Sequence, residues 1–175
     1  MNSFSLLRIA VAALLPAVTA CSDDGPSGDA TSFTAVLSGA NEFPPVTTTA
    51  TGTATLEVSG TEITYTISAT NLTNTVLGHI HLAAPGVNGP VRLNLCGTGA
   101  PQPACATGAG TVVVAEGTNG VTVGAPAITF DELLTAMRTG GAYVNLHTNG
   151  AGCTQGVSAP GCNPGGEIRG QIEAD

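Results

Sequence analysis

Apolar and hydroxyl-bearing side chains alternate residue by residue through much of this sequence. Residues 54–58 and 63–68 carry Ala, Leu, Val, Ile and Tyr at every second position, with Thr, Ser and Glu between them. Alternation with period two is typical of half-buried β-strands, because successive side chains point to opposite faces. The same pattern predicts eight short strands along the chain and hence an all-β, antiparallel sandwich or barrel. These strands are predicted over residues 33–38, 54–58, 63–68, 77–82, 91–95, 111–115, 142–148 and 167–172.

One segment departs from this pattern and predicts a single short helix. Thr129 followed by Glu132 matches a capping box, in which each residue satisfies a backbone N–H group of the other. Leu133, Leu134 and Met137 form an apolar stripe at helical spacing. We expect a short crossover connection that lies over one end of the strands.

Composition excludes two classes of protein. The chain has 4 basic and 12 acidic residues and a net charge of −8, which is incompatible with the basic surface of a nucleic-acid-binding protein. Its low charged fraction of 9% and hydrophobic fraction of 42% allow a core, so the chain is not disordered throughout.

The N-terminal segment predicts export. Residues 1–20 combine Arg8 with an apolar run over 9–15, a run too short to span a bilayer and typical of a signal peptide. The small residues just before Cys21 resemble the lipobox of bacterial lipoproteins, which implies cleavage before Cys21 and a lipid anchor on that residue. We therefore expect a signal peptide over 1–20, a flexible acidic tether over 21–30 and one folded domain over 31–175.

Four cysteines remain once Cys21 is assigned to the anchor. Cys96 and Cys105 are nine residues apart, and so are Cys153 and Cys162. Three connectivities are possible, and we favour these two local pairs because each would close an otherwise flexible Gly- and Pro-rich loop. A metal site formed by these cysteines is the rival interpretation, although no Cys-x-x-Cys spacing is present.

The three histidines of the chain all lie on predicted strands. His79 and His81 are two residues apart and share one face of their strand, and His147 shares a face with Tyr143 and Asn145. Two more strands carry polar faces, formed by Arg92 with Asn94 and by Glu167, Arg169 and Gln171. If these four strands are neighbours, one surface of the sheet collects all three imidazoles.

Three interpretations of this polar surface follow. The imidazoles of His79, His81 and His147 can hold one copper or zinc ion, with Glu167 or water as a possible fourth ligand and with Asn145 and Arg169 nearby. Alternatively, the three histidines, Glu167 and Arg169 form a hydrogen-bonded network that only fixes the geometry of a sheet face of the kind that is usually solvated. The third interpretation is a surface for a small ligand or a partner. No Gly-x-Ser-x-Gly motif or triad pattern supports nucleophilic catalysis.

Three ordered motifs resemble the CHRD domain, a module first described in chordin. They are FTAVLSGANEFPPV over 33–46; GHIH over 78–81 with APG over 84–86 and GPV over 89–91; and GAYVNLHT over 141–148 with NPGGEIRGQI over 163–172. The resemblance implies an extracellular, immunoglobulin-like β-sandwich that has been likened to Cu/Zn superoxide dismutase, and it implies no settled activity. A dinuclear dismutase site needs more histidines than the three present.

These observations predict an exported, membrane-tethered binding module rather than an enzyme. We expect it on the periplasmic or cell-surface side of a membrane, with copper or zinc as the candidate cofactor and no nucleic-acid partner. The alternative is an envelope structural domain, or one that binds a protein or glycan, in which the polar face holds no metal.

Overall fold

The protein is described by a computed structural model that covers residues 29–99, 101–151, 153 and 158–175. The predicted signal peptide, Cys21 and the tether up to residue 28 lie outside the described residues. Within the described part, no helix combines the length and the apolar character that crossing a membrane requires.

The described residues form an antiparallel β structure with one short α-helix, as predicted. Every strand pairing recorded between them is antiparallel. The strands are β1 (Ser32–Ser38), β2 (Thr51–Ser59), β3 (Glu62–Leu72), β4 (Thr75–Leu82), β5 (Val91–Cys96), β6 (Gly108–Asn119), β7 (Ala142–Thr148), β8 (Ile168–Gln171) and β9 (Glu173–Ala174), and the helix is α1 (Phe130–Arg138).

One continuous sheet folds onto itself and almost closes into a flattened barrel. Its strand order is β5-β4-β7-β8-β1-β2-β3-β6, with β9 beside β1. The two edges meet where Leu93 and Thr122 form a β-bridge and where the Asn119 amide donates to the Asn94 carbonyl at 2.8 Å. The topology therefore places β5, β4, β7 and β8 side by side, which are the four strands predicted to carry polar faces.

The predicted strand over 167–172 is present as β8, and a second short strand, β9, follows it beyond the predicted range. β8 pairs with β7 along its length and with β1 at Ser38, whereas β9 pairs with β1 at Phe33 and Thr34. Ile172 separates them, and its N–H donates to the Ala142 carbonyl at 2.9 Å. Pairing with β7 thus ends at Ile172 while pairing with β1 continues, which hydrophobic alternation does not reveal.

The core consists of the apolar set of each alternating strand. Large side chains from both halves of the sheet are fully buried, and burial of each contributes roughly 1.5–3 kcal/mol. They include Phe33, Leu37, Leu56, Ile63, Ile67, Ile80, Leu93, Leu146 and Ile168. The helix adds Leu133 and Met137, and Leu134 is half-buried. The period-two prediction of the buried face is confirmed.

The capping box of α1 and the two local disulfides, both predicted from short sequence patterns, are also confirmed. The Thr129 hydroxyl accepts from the Glu132 N–H at 3.2 Å, and the Glu132 carboxylate accepts from the Thr129 N–H at 2.7 Å. Disulfides join Cys96 to Cys105 and Cys153 to Cys162. Such bonds are typical of proteins that fold outside the reducing cytosol, which is consistent with export.

Candidate metal centre

Three imidazoles converge on one face of β4 and β7. His79 is paired with Asn145 across the two strands, and His81 is paired with Tyr143. His147 lies two residues beyond Asn145 on the same face of β7, and the three ring centroids are 5.0 to 5.8 Å apart. One nitrogen from each ring lies within 4.8 Å of the other two, so the three can be ligands of a single ion.

This polar face is buried rather than solvated. Each of the three histidines is only 7% exposed, and Asn145 and Arg169 are buried beside them. Three loops cover the face, over residues 39–50, 83–90 and 158–167, and Asn88 joins the first two by donating to the Phe43 carbonyl at 2.7 Å. A cavity of about 380 Å³ is lined by residues of all three loops. The expectation of a solvated outer surface is therefore wrong for this part of the sheet.

Backbone carbonyls of two covering loops fix the orientation of two rings. His81 donates from Nδ1 to the Gly89 carbonyl at 2.9 Å, and His147 donates from Nδ1 to the Pro164 carbonyl at 3.0 Å. In a neutral imidazole this leaves the lone pair on Nε2. Residue 89 must be a glycine for its backbone to lie this close to β4. A Cβ atom at this position would lie 1.9 Å from the Leu82 carbonyl oxygen.

The third ring completes the group. Nδ1 of His79 lies 3.3 Å from Nε2 of His147, whose lone pair makes it the acceptor of this hydrogen bond. Nε2 of His81 is buried and has no hydrogen-bond partner among the described residues. A buried acceptor without a partner is costly unless it has another role, such as binding a ligand.

Burial keeps the imidazoles uncharged. It is the main reason that the pKa values of His79 and His147 fall to about 4, and repulsion between charged rings lowers these pKa values further. The pKa of His81 is also lowered by burial and by the charge of Arg169. Neutral imidazole is the form that binds metal ions.

A stack of side chains supports His81 from β7 and β8. The Tyr143 ring lies parallel to the His81 ring, with centroids 4.9 Å apart and planes 11° apart. The Arg169 guanidinium lies over the Tyr143 ring at 4.6 Å, a cation–π contact. The Tyr143 hydroxyl also accepts from the Gly89 N–H at 3.1 Å. The same residue, Gly89, therefore contacts both Tyr143 and His81.

Arg169 joins the loops over this stack. It donates from Nε to the Asn41 carbonyl at 2.6 Å, and from one amino group to the Val87 carbonyl and the Asn88 side chain at 3.2 and 3.0 Å. Its Nε also lies 3.9 Å from the Glu42 carboxylate. Desolvation raises the pKa of the Glu42 carboxyl to about 7, although the nearby Arg169 charge acts in the opposite direction.

Glu42 is the buried charged residue of this region that the sequence interpretation missed. Its signal is an acidic residue inside the Asn41–Pro45 motif, where neither strand nor helix periodicity applies. Gly166 has φ +130°, and a side chain there would lie within 2.7 Å of both Glu42 and Asn145. The glycine therefore lets two polar side chains from different elements reach the same buried space.

Glu167 and Arg92 lie apart from the three imidazoles. The Glu167 carboxylate accepts hydrogen bonds from Thr48, Thr148 and the Gly161 N–H at 2.6 to 2.7 Å, so both oxygens are already used. It does not belong to the group of ligand atoms formed by the histidines. Arg92 donates to the Val123 and Pro126 carbonyls instead. The fourth-ligand role of Glu167 stays a prediction that these contacts do not favour.

Glu42 gives the folding stability a specific pH dependence. A carboxyl whose pKa is higher in the folded than in the unfolded chain stabilises the fold fully below pH 4.5, and this contribution is lost as the pH rises through about 7. Relative to Glu42→Gln, we expect wild type to lose up to about 3 kcal/mol of unfolding free energy over that interval. Urea unfolding at about pH 5 and about pH 8 measures this difference.

The histidines contribute to the pH dependence with the opposite sign, but they are present in both proteins and cancel in the comparison. If the unfolding free energies of wild type and Glu42→Gln changed in parallel with pH, this result would contradict the elevated pKa of Glu42.

The comparison with protein families agrees with the motifs. The model of the CHRD domain matches residues 33–152, more than half of the chain, and this range contains all three histidines. The resembling segment over 163–172 lies beyond the matched range. No curated protein matches the chain significantly. The chain belongs to the CHRD domain family.

Proposed function

We propose that this protein is a non-catalytic binding module that holds one copper or zinc ion through His79, His81 and His147. The observation that carries the proposal is the convergence of the three buried, neutral imidazoles within 4.8 Å of one another. Imidazole nitrogen suits copper and zinc better than it suits magnesium or calcium, which prefer oxygen ligands.

The contacts around the rings support this function. Metal-binding histidines usually donate their second ring N–H to a carbonyl or carboxylate, which fixes the ring and leaves the other nitrogen free to bind. Gly89 and Pro164 supply such carbonyls to His81 and His147, and an ion bound at Nε2 of His147 would replace the hydrogen bond that this atom accepts from His79. Because both rings are held in place before an ion arrives, little conformational entropy is lost on binding.

Metal content after loading tests the proposal. Purified protein is incubated with a copper or zinc salt, freed of excess ion and analysed for metal. We expect one ion per wild-type chain and almost none in His81→Ala, because two imidazoles alone form a much weaker site. Thr66→Ala, on the exposed face of β3, is the control and should bind like wild type.

Absence of retained metal in correctly folded wild type would overturn the proposal. It would favour the alternative, in which the histidines, Tyr143, Asn145 and Arg169 only stabilise the sheet of an envelope domain that contacts a protein or glycan.

We further propose that the module is held at a membrane by a lipid on Cys21. The support is the signal-like segment over 1–20 and the small residues before Cys21, followed by a polar, acidic stretch. We expect Cys21→Ser to move the protein from the membrane fraction to the soluble exported fraction. Equal membrane association of the two proteins would contradict the anchor.

A further inference from the structure

We infer that the centre selects monovalent copper, Cu(I), over zinc and other divalent ions; this inference rests on the proposed function and names the ion that it takes. It follows from the charge, burial and number of the donors.

The donor set carries no negative charge. All three ligand nitrogens belong to neutral imidazoles, and the group contains no carboxylate among the described residues. Glu167, the fourth ligand predicted from the sequence, accepts hydrogen bonds from Thr48, Thr148 and Gly161 with its two oxygens. An ion bound here therefore keeps its full charge.

The surroundings of the centre do not compensate that charge either. The Arg169 cation lies over Tyr143, the ring that stacks on His81. Glu42 lies 3.9 Å from Arg169. If Glu42 is ionised, the two charges sum to zero, and if it is protonated they sum to plus one. In neither state does the Arg169–Glu42 pair supply net negative charge to the centre.

Burial turns this charge difference into selectivity. The cost of moving an ion from water into a poorly solvated site rises with the square of its charge, so a divalent ion pays about four times the cost of a monovalent ion of equal size. Cu(I) is also satisfied by three nitrogen donors, whereas zinc takes a fourth ligand. The three rings are each 7% exposed beneath the loops, which restricts access of such a ligand from solvent.

Competition between the ions tests the inference. Wild-type protein is loaded anaerobically with Cu(I) and then titrated with Zn(II), while bicinchoninate reports released Cu(I). We expect Cu(I) to stay bound at a large excess of Zn(II). If Zn(II) displaces Cu(I), the selectivity is wrong but the proposed function stands. If neither ion is retained, the proposed function itself fails.

Asn145→Asp tests the charge argument directly. Asn145 lies between His79 and Arg169 in the strand register, and its buried Oδ1 has no hydrogen-bond partner among the described residues. The substitution keeps the shape and adds one negative charge beside the centre. We expect the ratio of Zn(II) to Cu(I) affinity to rise about tenfold or more, because a divalent ion gains twice as much from that charge.

Thr66→Asp adds the same charge on the exposed face of β3 and should leave the ratio unchanged. An unchanged ratio of Zn(II) to Cu(I) affinity in folded Asn145→Asp would overturn the charge argument. A preference of wild-type protein for Zn(II) over Cu(I) would also overturn it, whatever the two variants show.

Discussion

Replacing Arg169 by methionine is expected to lower the free energy of unfolding by about 3 to 5 kcal/mol, the range found when one partner of a buried ion pair is removed. Methionine keeps much of the apolar volume of the side chain but donates no hydrogen bond. The carbonyls of Asn41 and Val87 and the side chain of Asn88 then lose their donor inside the protein. Urea unfolding measures the loss.

Two comparisons separate the ion pair from the hydrogen bonds. Arg138→Met removes an arginine that donates to one carbonyl, that of Ala30, at a half-buried site, and it should cost about 1 kcal/mol. In a double-mutant cycle, Arg169→Met and Glu42→Gln should be coupled at about pH 8 and much less coupled at about pH 5, where Glu42 is protonated. Simple additivity at both pH values would argue against the pair.

Bound metal is expected to stabilise the wild-type fold by about 4 kcal/mol at a free ion concentration a thousand times the dissociation constant. The ion binds the folded chain but not the unfolded chain, because the unfolded chain does not hold the three imidazoles together, and this difference stabilises the fold. His147→Ala should abolish this gain, since the ring that bonds both His79 and the Pro164 carbonyl is gone. Thermal unfolding with and without copper or zinc measures the effect.

Equal stabilisation of His147→Ala and wild type by the ion would place the binding elsewhere in the chain. Thr66→Ala again provides the control, because it leaves all three imidazoles unchanged.

Most of the fold, and the grouping of the imidazoles, could be predicted from the period-two alternation of the strands. Because successive side chains point to opposite faces, His79 and His81 had to share a side, and so did Tyr143, Asn145 and His147. The capping box at Thr129 and the equal cysteine spacings were likewise local signals. Such signals suffice wherever a residue's direction is set by its immediate neighbours in sequence.

Burial of the polar face could not be predicted in the same way. It depends on loops over 39–50, 83–90 and 158–167 that have no periodicity, and on bonds between residues as distant as Asn88 and Phe43. The orientation of the Glu167 side chain likewise depends on contacts that are distant in sequence. It directly precedes β8, and its carboxylate accepts from Thr148 and Gly161 instead of joining the histidines. Only the tertiary arrangement decides such directions.

The disulfide between Cys153 and Cys162 has a consequence for the order of maturation. Cys162 is followed by Asn163, whose N–H donates to the Thr148 hydroxyl, and then by Pro164, whose carbonyl orients His147. A chain with reduced thiols lacks the covalent link that closes this segment and therefore holds that ring less firmly. Ion capture at the proposed centre would then be stronger after thiol oxidation than before it, so that closure of this disulfide would favour loading of the ion.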